Sequence, residues 1–140
     1  MVQSTSIVTD LLIGIDRTVT VRMTLGAVAL CPVLVVLWVL VTVGMDEPRS
    51  MYDIGAGLVV VLVALVSVMN GYLGGGLVAS VALGISPPIA FGITARIADW
   101  LYNTQGDSPL WALVVGFIVI VGTIAVASFA VGAIARWLVS

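Results

Sequence analysis

The chain contains no lysine and no histidine, a single cysteine, and charged residues at only 9% of its positions. Each shortage removes a class of chemistry. Without histidine there is no histidine-ligated haem, no usual zinc site, no Ser-His pair and no HExxH motif. A lone Cys31 allows neither an intrachain disulfide nor the cysteine pair of quinone-linked disulfide chemistry. Five arginines stand against seven acids, a net charge of −2, and none of the basic residues cluster. Nucleic-acid binding requires such clustering, so none is expected. Soluble domains are about 25% charged; this chain cannot cover a water-facing surface. Its first ten residues, MVQSTSIVTD, lack the charged start and short apolar core of a cleavable signal. Membrane insertion is therefore expected to use the first span.

What fills the chain instead is apolar sequence: 61% hydrophobic residues and a mean hydropathy of +1.28. No charge occurs in the 23 residues between Arg22 and Asp46, the 42 between Asp53 and Arg96, or the 28 between Asp107 and Arg136. A crossing needs about 20 apolar residues, so these runs hold one, two and one crossings. The expected fold is all-α: an integral membrane four-helix bundle forming one domain over 1–140. Its spans lie at about 23–43, 54–69, 72–90 and 110–138, with interfacial amphipathic helices at about 4–22 and 93–103. The first interfacial helix is read from Ile7, Leu11, Ile15 and Val19, four apart; packing against the bundle is the alternative. The second is read from Ile93, Ile97, Trp100 and Leu101, flanked by Arg96 and Asp99. Trp111 and Trp137 bracket the fourth span like two interfacial belts.

The centre of the sequence runs from Asn70 to Arg96. Gly76, Ser80, Gly84, Pro88 and Gly92 recur every fourth residue. A four-residue step drifts by about 40° in a straight helix, so Gly76, Ser80 and Gly84 share a face and Gly92 leaves it. In lipid such bare ridges let backbones approach closely. Gly76, Ser80 and Gly84 are thus expected to pack helices, as are Ser128 and Gly132 in the fourth span. Asn70-Gly71 reads as a tight turn joining spans two and three in an antiparallel, side-by-side hairpin. Pro87 and Pro88 are expected to break the helix and to leave the carbonyls of Leu83 and Gly84 without their usual partners. Such a break either lines a binding site or marks a kink. Asp53 is expected to cap the second span.

Every acid and arginine falls at or beyond an expected membrane boundary. Proton-coupled transporters place ionisable groups within the bilayer, which argues against the small multidrug exporters and their buried glutamate. Catalytic, cofactor and metal sites are all expected to be absent. Arg96, with Asp99 beside it, is a candidate contact for lipid phosphate or a partner's acid. Arg17, Arg22 and Arg136 fall on one side and Arg49 and Arg96 on the other. That bias places both termini in the cytoplasm or interior.

Length and span number are similar to those of the small four-span fluoride channels. That family's serine- and threonine-rich phenylalanine segment and arginine-bearing glycine motif are missing, so the match fails. The absence of lysine, the acidic balance, and the NGYLGGG and SPPIAFGI segments over roughly 54–96 resemble small four-span membrane proteins of halophilic archaea. Tetraspan proteins of their lipid-enveloped viruses look the same. The resemblance implies a high-salt habitat, in a cell membrane or a viral envelope, and no particular activity. The expected function is that of a structural component or accessory subunit, assembling with copies of itself or within a larger membrane complex. The alternative is an oligomeric channel or facilitator for an ion or small solute.

Overall fold

A computed structural model of the chain describes residues 2–44, 49–102 and 109–139; for 2–6 and 49–53 only the backbone is described. The described residues form five helices: α1 (Val2–Ile13), α2 (Arg17–Gly44), α3 (Arg49–Tyr72), α4 (Leu77–Tyr102) and α5 (Leu110–Val139). No strand occurs among them. Four stretches are long and apolar enough to cross a membrane: Arg17–Gly44, Ile54–Tyr72, Leu77–Tyr102 and Leu110–Val139.

Several boundaries differ from the sequence expectation. The interfacial helix expected over 4–22 is two elements. α1 stops at Ile13, Gly14 takes a left-handed φ of 84°, and Asp16 starts α2. Its carboxylate accepts from the amides of Thr18 at 2.9 Å and Val19 at 3.3 Å, which satisfies two donors at the new helix's N-terminus. Arg17 and Arg22 therefore belong to the first spanning helix. The helix expected to break at Pro87-Pro88 does not break: α4 continues through both prolines to Tyr102. The segment expected as a separate interfacial helix over 93–103 is its C-terminal end up to Tyr102; residue 103 lies outside the described residues. Lost ladder bonds are tolerable where neighbouring helices and hydroxyls supply contacts. Here the Ser86 hydroxyl donates to Ala27 O of α2, 2.7 Å away, or to Ala82 O, 2.8 Å away, and not to the Leu83 or Gly84 carbonyls. The third expected revision concerns Asn70-Gly71. α3 runs past both to Tyr72, and the chain reverses at Leu73–Gly76, where Gly74 has φ 79°. Asp53 lies one turn inside α3, and its side chain is outside the described set, as are the acids of 45–48 and residues 103–108.

α4 is the hub. Half of its apolar window is buried, against 17%, 22% and 11% for α2, α3 and α5, and its hydropathy is the lowest of the four at 1.7. The outer helices each bury one narrow stripe: Thr20, Ala27, Leu34 and Trp38 on α2; Val63, Ser67, Asn70 and Gly71 on α3; Val121, Ala125, Phe129 and Gly132 on α5. The stripe spacings of three, four and seven are those of one helix face turned to a neighbour. The large interfaces are α3–α5, α2–α4 and α4–α5, and the α3–α4 contact is much smaller. The side-by-side hairpin expected of spans two and three thus gives way to two interleaved parallel pairs.

Glycines explain the pairing. A Cβ on Gly132 would collide with the Val68 carbonyl and come within 3.0 Å of Tyr72 N. One on Gly71 would collide with Phe129 O in the same way. α3 and α5 thus touch backbone to backbone. Gly84 faces Gly122 Cα and Ala125 Cβ, each 3.0 Å from where its own Cβ would lie, so α4 and α5 cross closely there. With lipid tails as apolar as the side chains, such packing supplies much of the cohesion. Two apolar clusters fill the remainder: Leu34, Trp38 and Ala90 in one, Val63, Val121 and Ala125 in the other. Val59 of α3 borders both.

Candidate functional site

Two places in the fold gather polar or ionisable groups, one near each end of the spans. The first surrounds the α3–α4 turn. Gly14 and Gly75 pair as an isolated antiparallel bridge, and the amides of Ile15 and Asp16 donate to Gly74 O at 2.9 and 3.1 Å. The Thr20 hydroxyl accepts from Gly76 N at 2.8 Å and donates to Ile13 O or Asp16 O. Beneath the turn, fully buried Asn70 donates through Nδ2 to Gly76 O and Ser80 Oγ, both at 2.9 Å. Asn70 is thus a buried brace between helices and not the corner of a turn. Its Oδ1 lies where a Gly75 Cβ would project. Above the turn, the Arg136 guanidinium packs on Gly74 from the last turn of α5. Ser67 Oγ, Asn70 Oδ1 and Arg136 Nη1 are buried without a hydrogen-bond partner among the described residues.

These contacts give the small residues of α4 a definite use. A Cβ on Gly76 would collide with Leu12 O and lie 2.5 Å from Ile13 C, so Gly76 admits the end of α1. Ser80 receives Asn70, and Gly84 receives α5. Gly132 receives α3, and half-buried Ser128 lies one turn before it on the same side of α5. The arrangement is a polar clasp that ties α1, α2, α3 and α4 together at one end. Thr20→Val keeps the side-chain shape but removes the acceptor of Gly76 N–H. It should cost about 1–2 kcal/mol, read as a lower unfolding midpoint in micelles, whereas Thr20→Ser should lose much less.

The second place is a cavity of about 590 Å³ between α2, α3, α4 and α5, in the half of the molecule away from the clasp. Trp38, Pro87, Phe91 and Phe117 form apolar walls; Phe91 and Phe117 meet edge to face at 6.1 Å. Two polar side chains also line it, Thr94 and Asp99. The Thr94 hydroxyl donates to Ala90 O at 2.9 Å, which leaves its lone pairs to accept.

Asp99 changes the sequence picture. Ending the third span at the prolines had put Arg96 and Asp99 together on a surface helix. In the continuous α4 the two differ in burial. Arg96 is exposed, on the outward stripe with Val78, Ile89, Ile93 and Trp100. Asp99 is partly buried and turned to the cavity. Pro87 lines that cavity, while Pro88 is fully buried in the helix contacts. The signal that would have found the clasp is Gly14 followed by Asp16, a helix stop and a helix start in succession. Nothing in the sequence marks Asp99 as cavity-facing unless α4 is first drawn through its prolines. Among the described residues no group of three or more His, Cys, Asp or Glu is placed to hold a metal ion. Comparison with known protein families, with characterised proteins and with solved structures finds no match to this chain.

Proposed function

We propose that the chain is a non-enzymatic integral membrane protein, a four-helix bundle that serves as a structural component or accessory subunit in a homo-oligomer or larger membrane complex. The observation that carries the reading is how the apolar surface is divided. The small-residue edge of α4 is enclosed within the protomer, while α5, the most hydropathic span, buries only 11% of its apolar window. Assembly on this reading uses the outward faces of α2 and α5, where Gly26 and Gly116 have no atom within 4 Å of a Cβ position. Arg17, Arg22 and Arg136 stand at the end that carries both termini, which favours a cytoplasmic or interior location for that end. The lysine-free acidic composition fits a high-salt habitat.

Native mass spectrometry from mild detergent tests this. The expected result is an oligomer, or a complex with companion chains, that Gly26→Leu and Gly116→Leu dissociate without lowering the unfolding midpoint. A lone monomer at all concentrations would overturn the reading. The cavity favours a second reading, a facilitator for a small solute within the protomer; liposomes that pass no ion or neutral solute would remove it.

A further inference from the structure

We infer that the cavity between α2, α3, α4 and α5 is a binding site for an organic ammonium ion with an apolar, aromatic-sized body. Its volume of about 590 Å³ lies within the range of small-molecule sites, roughly 300–1,000 Å³. Its chemistry is asymmetric. Aromatic walls come from Trp38, Phe91 and Phe117, and one carboxylate, Asp99, supplies the only formal charge among the described lining residues. Apolar bodies match those walls, and a cation gains both from the carboxylate and from aromatic faces. An anion would meet Asp99 unfavourably, and a neutral apolar molecule would leave its field unused.

Asp99 also interacts within the fold. An ionised carboxylate offers about four acceptor positions, so a ligand's N–H can share the group with what it already meets in the fold. The Thr94 lone pairs lie on the same cavity and provide a second acceptor. Binding is separate from the assembly reading above, because the whole site belongs to one protomer and is filled at equilibrium whether or not copies associate.

The test uses the full chain in detergent micelles, titrated with dibenzylammonium and with dibenzyl ether, a neutral molecule of similar shape. The readout is the side-chain NMR signals of Trp38 and Thr94. Dibenzylammonium should produce saturable shifts at both residues, and the ether should bind at least about tenfold more weakly, the loss of one charge contact at a partly exposed site. Asp99→Asn should weaken dibenzylammonium by a similar factor and leave the ether unchanged. Ala56→Trp, which fills the cavity from α3, should abolish the shifts of both compounds at Thr94. Equal affinity for the cation and the ether, an unchanged cation affinity in Asp99→Asn, or saturable binding that survives Ala56→Trp would each overturn the proposal. So would the absence of any saturable shift in the unmodified chain. Should Asp99→Asn fail to fold, the comparison of the two compounds and the Ala56→Trp result still decide.

Discussion

Gly132→Leu should prevent the chain from reaching its folded state, and Gly132→Ala should already lower the unfolding midpoint sharply. The new Cβ would fall on the Val68 carbonyl and lie 2.9 Å from the carbon of the same peptide. Overpacking that only displaces side chains costs about 1–3 kcal/mol. Here the obstacle is backbone on a parallel neighbour, so α3 and α5 must separate along their contact. The loss should exceed about 3 kcal/mol, the upper end of that range. Gly57 provides the control. It lies in a spanning helix too, on none of the faces assigned to assembly, and a Cβ there meets open space within the protomer. Gly57→Ala should be neutral or stabilise by up to about 1 kcal/mol, the difference in helix propensity. Denaturation in micelles followed by circular dichroism reads both. Equal behaviour of the two alanine variants would mean that α3 and α5 do not touch as described.

Gly14→Ala should release α1 while leaving the spans associated. Two effects act together at this position. The residue has φ 84°, a left-handed conformation that costs an L side chain roughly 1–2 kcal/mol. The added Cβ would also lie 2.5 Å from Gly75 C and from Gly76 N. With Gly14 moved away, the Ile15 and Asp16 amides lose Gly74 O, and Thr20 loses its fixed position under Gly76. Hydrogen exchange should then show at least about tenfold faster exchange at Ile15, Asp16 and Gly76, an opening easier by roughly 1.4 kcal/mol. Amides in mid-span, such as Ala125, should be unaffected. Uniform acceleration across all helices would show instead that the clasp is not a separate unit.

What could be read from sequence was what a sliding composition records. The four apolar stretches and the all-helical class follow from charge-free runs longer than a bilayer requires. The last helix, α5 (Leu110–Val139), covers the stretch expected for the fourth span, 110–138, which Trp111 and Trp137 bracket. Errors arose where a local rule from aqueous proteins met a membrane neighbour. Asn-Gly is a strong turn signal in water, but the Asn70 amide is fully buried and joins helix to helix. Two prolines stop most helices, but α4 is enclosed on half of its circumference and its neighbours hold it in line. The apolar rhythm of Ile7, Leu11, Ile15 and Val19 ran across Gly14 and hid a helix end there. The ridge of Gly76, Ser80 and Gly84 was legible as a packing edge, but its partners were not. Small residues announce a close approach without naming what approaches. They proved to be α1, Asn70 and α5 of the same chain, which moves any contact between chains to other faces. The cavity-facing side of Asp99 was hidden for the same reason as the prolines: a helix ended too early sets its C-terminal residues on a separate element.

The account rests on the small-residue edge of α4 being closed by this chain's own helices. Isotope-filtered NMR in nanodiscs tests that most directly, by observing cross-relaxation between the Ala125 methyl group and the Gly84 α protons. Mixed samples of labelled and unlabelled chains separate contacts within one chain from contacts between two. The contact should appear at full intensity within labelled chains and vanish from the interchain spectrum. A cross-peak seen only between chains, or strong contacts from Gly84 to lipid acyl protons instead, would contradict it.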